Sequence, residues 1–261
     1  MVRRFIAWLT WQRVRVEEMH IQHPRAEAAA VTIFAVVYVL LSFATGMIIR
    51  QHPTPFLGAT SFTNDATYLF GFKLGALLLF PLVAFHVRGY RVRDLLPRWI
   101  PSSRAVACAT LGFAIGCLPN LWHLGRIVPK LTALPATRAA LLVIVAALLP
   151  LITAAIPEEF VYRGLLQTRL EATLGRWSAV FLTAILFAAW HLPSRYLLAQ
   201  GVEGHAGDLR SVIVGTGVPV LAVGLVLDWL WDRYRSLPLL VAIHWGMDFL
   251  PSMSSSLGIR F

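Results

Sequence analysis

The sequence predicts an all-α fold: a polytopic transmembrane helical bundle of about seven or eight spans around a membrane-embedded polar cavity. Two properties of its 261 residues support this class. Hydrophobic residues make up 57% of the chain and charged residues 14%, and the mean hydropathy is +0.68. In addition, the apolar residues are gathered into runs long enough to cross a bilayer. Such a composition is typical of an integral membrane protein and excludes an ordinary soluble domain.

Seven apolar segments are predicted to be spans. They lie at about 28–49, 66–87, 105–122, 138–158, 177–192, 212–231 and 237–253. Pro150 and Pro157 interrupt the fourth segment, so residues 136–150 and 151–171 could be two helical pieces, which would give eight spans. Lys73 lies inside the second span and is predicted to snorkel or to face a cavity.

Residues 1–25 are predicted to form an interfacial, basic, amphipathic segment, and residues 26–261 the transmembrane domain. In the N-terminal segment, four arginines alternate with tryptophan, phenylalanine and aliphatic residues, a pattern typical of a helix lying in the membrane surface. The polar residues that follow this short apolar stretch do not fit a signal-peptide cleavage region. The two cysteines, Cys108 and Cys117, share one apolar run and imply no disulfide framework.

The formal charge of +10 reflects cations in the loops between spans. An N-terminus inside the cell places 15 Lys and Arg residues in inner loops, Arg163 and Arg169 among them, and 7 on the outer side. The positive-inside rule therefore predicts a cytoplasmic N-terminus, and we expect the cell (inner) membrane. The cations are interpreted as contacts with membrane lipid, and no nucleic-acid partner is predicted.

The central motif of the chain is a pair of glutamates beside an apolar run, in Ile156-Pro157-Glu158-Glu159-Phe160-Val161-Tyr162-Arg163. Glu159 and Arg163 have the spacing of a same-face helical ion pair, whereas Glu158 points about 100° away and has no partner within the motif. An unpaired carboxylate in an apolar site is suited to act as a general base. Alternatively, both glutamates mark a membrane–water boundary.

Two histidines also lie within apolar runs. His191 ends Phe187-Ala188-Ala189-Trp190-His191, and His244 is followed four residues later by Asp248. A carboxylate at that spacing can orient an imidazole. Taken singly, each histidine could be an interhelical hydrogen-bonding residue, but together with the glutamates they form a recognisable hydrolytic set. A simple count of spans places Glu158 near the inner face and His191 near the outer face.

Other charged residues are interpreted as structural. Asp228 and Asp232 are predicted to belong to a charged helix end near Arg233 and Arg235. Four further charged residues mark a polar loop that could act as a lid: Arg195, Glu203, Asp208 and Arg210.

Three motifs in order resemble those of the CAAX protease and bacteriocin-processing (CPBP) family of intramembrane endopeptidases. They are Glu158-Glu159-x-x-x-Arg163, Phe187-x-x-x-His191 and His244-x-x-x-Asp248. The run Arg235-Ser236-Leu237-Pro238 before the last motif is also similar. The resemblance covers about residues 140–250, which we expect to be the catalytic core.

The resemblance implies hydrolysis of a peptide bond in a membrane-associated or lipidated peptide or protein. It implies that Glu158 and His191 activate a water, that Glu159 and Arg163 form a scaffold pair, and that His244 stabilises the oxyanion. Asp248 stands where the family often has Asn, and a carboxylate donates a hydrogen bond only when protonated. Asp248 is therefore predicted to hold His244. Phe187, Trp190 and Trp245 are predicted to line the substrate cavity.

Metal use and two other functions stay open at this point. Glu158, His191 and His244 could supply a two-histidine, one-carboxylate zinc site, although metal-free activation by glutamate is preferred and no cofactor is firmly predicted. The glutamic or metallo type of the protease is thus unresolved. The alternatives to an endopeptidase are a non-catalytic peptide-binding or bacteriocin-immunity protein of the same family, and a proton-coupled carrier.

Overall fold

The computed structural model describes residues 19–56, 61–95 and 102–259. These residues form seven long helices and no strand. We number the helices in chain order: α1 Pro24–Gln51, α2 Thr67–Val87, α3 Ser102–Cys117 with its continuation Leu118–His123 and Leu124–Thr132, α4 Ala136–Leu174, α5 Arg176–Leu198, α6 Leu209–Tyr234 and α7 Leu237–Ser256. Most of the predicted segment 1–25 lies outside the described residues.

Six of these helices, α1 to α6, are long and apolar enough to cross a membrane. Large aliphatic side chains point outward from them, as at Ile33, Leu40, Val83 and Val214, each at least 59% exposed. An apolar outer surface suits a protein whose solvent is lipid. The all-α polytopic fold predicted from the sequence is confirmed.

Helix α4 is a continuous helical run of 39 residues. The alternative in which it splits into two pieces is wrong. Proline interrupts the ordinary helical hydrogen-bond ladder, and here the ladder widens into π-helical turns at Leu151–Ala155 and Glu159–Gln167. The first of these stretches directly follows Pro150 and the second begins two residues after Pro157. A π-turn inside an α-helix is frequent at functional sites, and the second one contains Glu159 and Arg163.

The turn at Gly175 explains how residues of α4 and α5 come together. Glu158 lies 17 residues before Gly175, and His191 lies 16 residues after it. At about 1.5 Å per residue, both lie about 25 Å along their helices from the turn. The expectation that the two residues lie near opposite faces of the membrane is therefore wrong, because α4 continues to Leu174.

The aromatic core packs α1, α2 and α5 together. The rings of Tyr38 and Phe72 stack with centroids 4.2 Å apart, and Trp190 packs against both. Elsewhere in the bundle, α3 and α7 touch through their backbones. A Cβ atom added at Gly116 would overlap the Ile243 carbonyl, so this crossing requires glycine.

A buried ionic cluster joins the start of α1 to the later part of α4. Glu27, Tyr90 and Arg169 form it, and we call it the clamp cluster. Arg169 Nε lies 3.2 Å from Glu27 Oε2, and the Tyr90 hydroxyl donates to Glu27 Oε1. The backbone N–H groups of Gln22 and His23 donate to the same carboxylate. Every oxygen of Glu27 is thus hydrogen-bonded.

Candidate active site

Glu158 is buried and forms an ion pair with Lys73 of α2. The carboxylate is 2% exposed and Lys73 5%. The ammonium also lies 4.2 Å from the centre of the Trp190 ring, a cation–π distance. Glu158 has no partner within its own motif, as predicted, but the carboxylate is not left unpaired, since a cation 85 residues away in sequence offsets its charge. Lys73 was predicted either to snorkel or to face a cavity, and its side chain points into the interior of the bundle.

Glu159 and Arg163 form the ion pair that their spacing predicts. Arg163 Nη1 lies 3.2 Å from Glu159 Oε1, and both side chains are fully buried. The same guanidinium donates from Nε to Asp228 Oδ1 at 2.7 Å and from Nη2 to the Gly224 carbonyl at 3.2 Å. Arg163 thus bonds to two carboxylates, one within its own motif on α4 and one on α6. Fixing a buried guanidinium in this way gives a rigid support.

Asp228 and Asp232 were predicted to belong to a charged helix end, which holds for Asp232, two residues before α6 ends at Tyr234, but is wrong for Asp228. Asp228 is fully buried and pairs with Arg163. Asp232 is 1% exposed and lies 2.5 Å from Arg176 Nη2. The signal that sequence reasoning passed over is the long apolar run around Asp228, where an acidic residue normally needs a buried partner.

His244 lies between carboxylates on both of its ring nitrogens. Nδ1 is 2.6 Å from Glu159 Oε1, and Nε2 is 3.4 Å from Asp248 Oδ2 and 3.8 Å from Glu158 Oε2. The shortest contact is thus with Glu159, so Glu159 holds the ring more closely than Asp248 does. Carboxylates accept hydrogen bonds, so this environment favours a ring that donates from both nitrogens.

His191 has the opposite hydrogen-bonding environment. Its Nδ1 lies 2.7 Å from the carbonyl oxygen of Phe187, one turn earlier on α5. A carbonyl only accepts, so Nδ1 carries the proton and Nε2 of a neutral ring keeps its lone pair. The ring is also within electrostatic range of Lys73 and His244. The structure therefore brings His191 into the neighbourhood of the other site residues.

The residues predicted to line a cavity have different surroundings. Phe187 is buried, with its ring 5.0 Å from that of His191 and 4.3 Å from the Arg163 guanidinium. Trp190 is fully buried beside Lys73. Trp245 packs against Phe113 and donates from Nε1 to the Ala147 carbonyl. Their role in binding substrate stays a prediction.

Three carboxylate oxygens in and beside the site are buried without a hydrogen-bond partner. They are Glu158 Oε2, Glu159 Oε2 and Asp228 Oδ2. Buried polar atoms are almost always satisfied, so these oxygens are the natural acceptors for a water or for a polar group of a ligand. Glu158 Oε2 faces His244 Nε2, which places this acceptor beside a donor.

Glu158, His191 and His244 are the residues predicted as possible zinc ligands. The described residues contain no group of three or more His, Cys, Asp or Glu side chains placed to hold a metal ion. In particular, His244 directs Nδ1 to Glu159, and Lys73 occupies Glu158 Oε1. Zinc binding by Glu158, His191 and His244 stays a prediction, and the reaction proposed for the site does not depend on it.

Comparison with known proteins agrees with the motifs. Residues 139–250 match the family model described as "Type II CAAX prenyl endopeptidase Rce1-like". No curated protein and no solved structure gave a significant match to the chain. The matched segment contains every predicted site residue together with Asp228, whereas Lys73 lies before it. Residues 139–250 therefore carry the signature of the Rce1-like type II CAAX prenyl endopeptidases, which confirms the resemblance to the CAAX protease family.

Proposed function

We propose that this integral membrane protein is an intramembrane endopeptidase that hydrolyses a peptide bond in a lipidated or membrane-associated peptide. One observation carries the proposal: Glu158 on α4 and His244 on α7 meet inside the bundle, with the His244 Nε2 atom 3.8 Å from Glu158 Oε2. The family match at residues 139–250 supports the same reaction class. We further propose that the protein lies in the cell membrane with its N-terminus in the cytoplasm. This orientation places the larger number of arginines on the inner side.

In the proposed reaction, Glu158 and His191 Nε2 are the acceptors that position a water. Glu158 takes a proton from this water as its oxygen attacks the carbonyl carbon of the scissile bond, and the carbonyl electron pair moves onto the carbonyl oxygen. The tetrahedral intermediate then collapses, the C–N bond breaks, and the proton held by Glu158 passes to the leaving amine. One water is consumed, and one carboxylic acid and one amine are formed.

His244 is proposed to stabilise the oxyanion through its Nε2–H group. Glu159 fixes the ring through Nδ1, and Arg163 with Asp228 fixes Glu159. Donors held in place before the reaction stabilise developing charge without reorganising. In this proposal Asp248 assists as the second, more distant partner of the ring, and its side chain is 38% exposed.

The test replaces Glu158 by Gln, Ala and Asp in purified full-length protein. Cleavage of an S-farnesylated peptide with a C-terminal C-a-a-X sequence is followed by mass spectrometry. We expect Glu158→Gln and Glu158→Ala to lower kcat by about 10³-fold or more, and Glu158→Asp to retain part of it, since general-base catalysis contributes about 10²–10⁴-fold.

The matched control is Glu171→Gln, which removes a carboxylate on the same helix that pairs with Arg235 instead. The control is expected to keep kcat within about threefold. Unchanged turnover in all three Glu158 variants would exclude this residue as the base. A wild-type protein that binds the peptide without producing any fragment would instead favour the peptide-binding alternative.

A further inference from the structure

Arg195 is a buried cation beside the proposed active site. It was predicted to lie on a polar loop, which is wrong: it lies in α5, four residues after His191, and is 8% exposed. Residues four apart on a helix share a face, so Arg195 follows His191 toward the end of α5 that leads into residues 199–208. Its charge interacts with both Glu158 and His191.

The guanidinium of Arg195 is incompletely satisfied. Nη1 donates to the Tyr68 hydroxyl at 3.2 Å, Nη2 lies 3.4 Å from Glu203 Oε1, and Nε has no hydrogen-bond partner. Buried arginines usually hold a carboxylate through two short parallel bonds. Arg163 nearby has a different but fuller set of acceptors, with one bond to each of two carboxylates and one to a carbonyl. Arg195 has one long contact with a carboxylate.

The carboxylate of Glu203 can move away from Arg195 without a movement of the Glu203 backbone. The Glu203 side chain is 37% exposed. Its main chain is fixed, because its carbonyl accepts from Thr216 Oγ1 at 2.8 Å and because α6 approaches it closely at Gly215. Rotation of the Glu203 side chain into solvent would therefore uncover Arg195 while the backbone around Glu203 stays in place. This differs from the predicted lid, in which the whole loop would move.

A chain of contacts connects Arg195 to the proposed base. Tyr68, which accepts from Arg195, also has its ring centre 5.5 Å from Lys73 Nζ. Lys73 in turn pairs with Glu158. A ligand group on Arg195 would thus lie next to the residues that would position the attacking water.

We propose that Arg195 and Tyr68 form a subsite for a carboxylate of the peptide substrate, and that Glu203 occupies this subsite until substrate displaces it. The inference rests on the proposed peptidase function and specifies its substrate class. The carboxylate could be the C-terminus of the peptide or an acidic side chain near the scissile bond. A planar guanidinium with a free Nε–H and a displaceable partner suits both.

The experiment compares two S-farnesylated peptides of the same sequence, one with a free C-terminal carboxylate and one with a C-terminal amide. With full-length protein, Arg195→Gln is expected to raise KM for the acid by about 10- to 100-fold, as for loss of a charge-assisted hydrogen bond, while kcat changes far less. KM for the amide is expected to stay within about threefold. Arg195→Lys should restore part of the preference for the acid.

Glu203→Gln is expected to change KM in the opposite direction. Removing the competing charge should lower KM for the acid, by about 3- to 10-fold, and leave the amide unchanged. Tyr68→Phe should raise KM for the acid by a smaller factor than Arg195→Gln, and it keeps the buried ring if Arg195→Gln fails to fold. A third peptide, with a C-terminal amide and one acidic side chain, distinguishes the two sources of the carboxylate.

Binding separates this inference from the proposed function. The fluorescein-labelled acid and amide peptides are titrated into Glu158→Gln protein, with and without Arg195→Gln, and fluorescence anisotropy is measured. Acid-selective binding that depends on Arg195 supports the subsite even if no variant cleaves peptide. The subsite would be overturned if Arg195→Gln had the same effect on the acid, on the amide and on the amide with an acidic side chain, in binding or in KM.

Discussion

Two buried ionic clusters lie along α4, and they differ in what they leave unsatisfied. The clamp cluster places Arg169 against Glu27, whose two oxygens receive donors from Arg169, Tyr90 and two backbone N–H groups. The site cluster, which we define as Lys73, Glu158, Glu159, His191 and His244, keeps one oxygen of each glutamate without a hydrogen-bond partner. In the clamp cluster, the unsatisfied atom is instead Arg169 Nη2.

This difference shows that a buried charge in a membrane helix does not by itself indicate chemistry. Both clusters contain glutamate and a cation at almost no exposure, and both satisfy the rule that such charges are paired. What distinguishes the site cluster is the presence of imidazoles and of open acceptors. Its cation also differs, because a lysine carries a compact ammonium on a flexible stem, whereas an arginine carries a rigid planar guanidinium.

The largest effect expected from this comparison is on stability, in the clamp cluster. Glu27→Gln leaves Arg169 buried and charged, which should cost about 3–5 kcal/mol of unfolding free energy. Glu158→Gln should cost less, because the compact ammonium of Lys73 sits on a flexible stem that can turn to another acceptor. Thermal unfolding in detergent, followed by tryptophan fluorescence, measures both. The protein that remains folded in the Glu27→Gln sample should keep its kcat.

Arg93→Gln is the control for this stability measurement. Arg93 is 73% exposed at its side chain, and its contact with Asp94 is 3.8 Å long, so its loss should cost less than about 1 kcal/mol. A larger loss of stability for Glu158→Gln than for Glu27→Gln would contradict the contrast between the two cations.

The next effect is on turnover, in the site cluster. His244→Ala removes the proposed oxyanion donor and should lower kcat by about 10²–10³-fold with little change in KM. His244→Gln should recover part of this loss, because its amide group still donates. Steady-state cleavage of the farnesylated peptide gives both constants. Equal kcat for wild type and His244→Ala would remove His244 from the reaction.

The smallest effect concerns Tyr90 of the clamp cluster and depends on pH. Burial, and then the hydrogen bond to Glu27, raise the pKa of the Tyr90 hydroxyl above its ordinary value near 10. The folded state therefore holds the hydroxyl proton of Tyr90 more tightly than the unfolded state does. The stabilisation by this group is complete below about pH 10 and is lost as the pH rises through the pKa of Tyr90 in the folded state.

Tyr90→Phe should therefore lower stability by about 1.5–3 kcal/mol near neutral pH and by less at higher pH. Unfolding midpoints of wild type and Tyr90→Phe, measured from pH 8 to 11, should converge toward the alkaline end. A constant difference over the whole range would mean that the hydroxyl proton does not contribute in this way.

The fold could be predicted from sequence because hydropathy reports directly on burial in lipid. The ends of the helices could not be predicted in the same way. Arg163 and Arg169 were counted as loop cations, but each is buried in α4 with an acidic partner from another helix. A cation in a sequence does not reveal whether lipid headgroups or a distant carboxylate will neutralise it.

Prediction of the site is also limited because the distant partner of a charged residue cannot be identified from the sequence. The pair Glu159–Arg163 follows from a spacing of four residues, and it is confirmed. The partners Lys73 of Glu158 and Asp228 of Arg163 lie 85 and 65 residues away, and only the packing of α2 and α6 against α4 identifies them. Local periodicity has no information on such contacts.

The glycine crossing of α3 and α7 has a consequence for how this protein can tolerate sequence change. Gly246 lies two residues after His244, and a Cβ there would overlap the Phe113 carbonyl, just as one at Gly116 would overlap that of Ile243. Main-chain atoms therefore set the depth of α7. Lipid-facing side chains on these helices can vary without moving the imidazole, whereas a single added methyl group at either glycine would displace it.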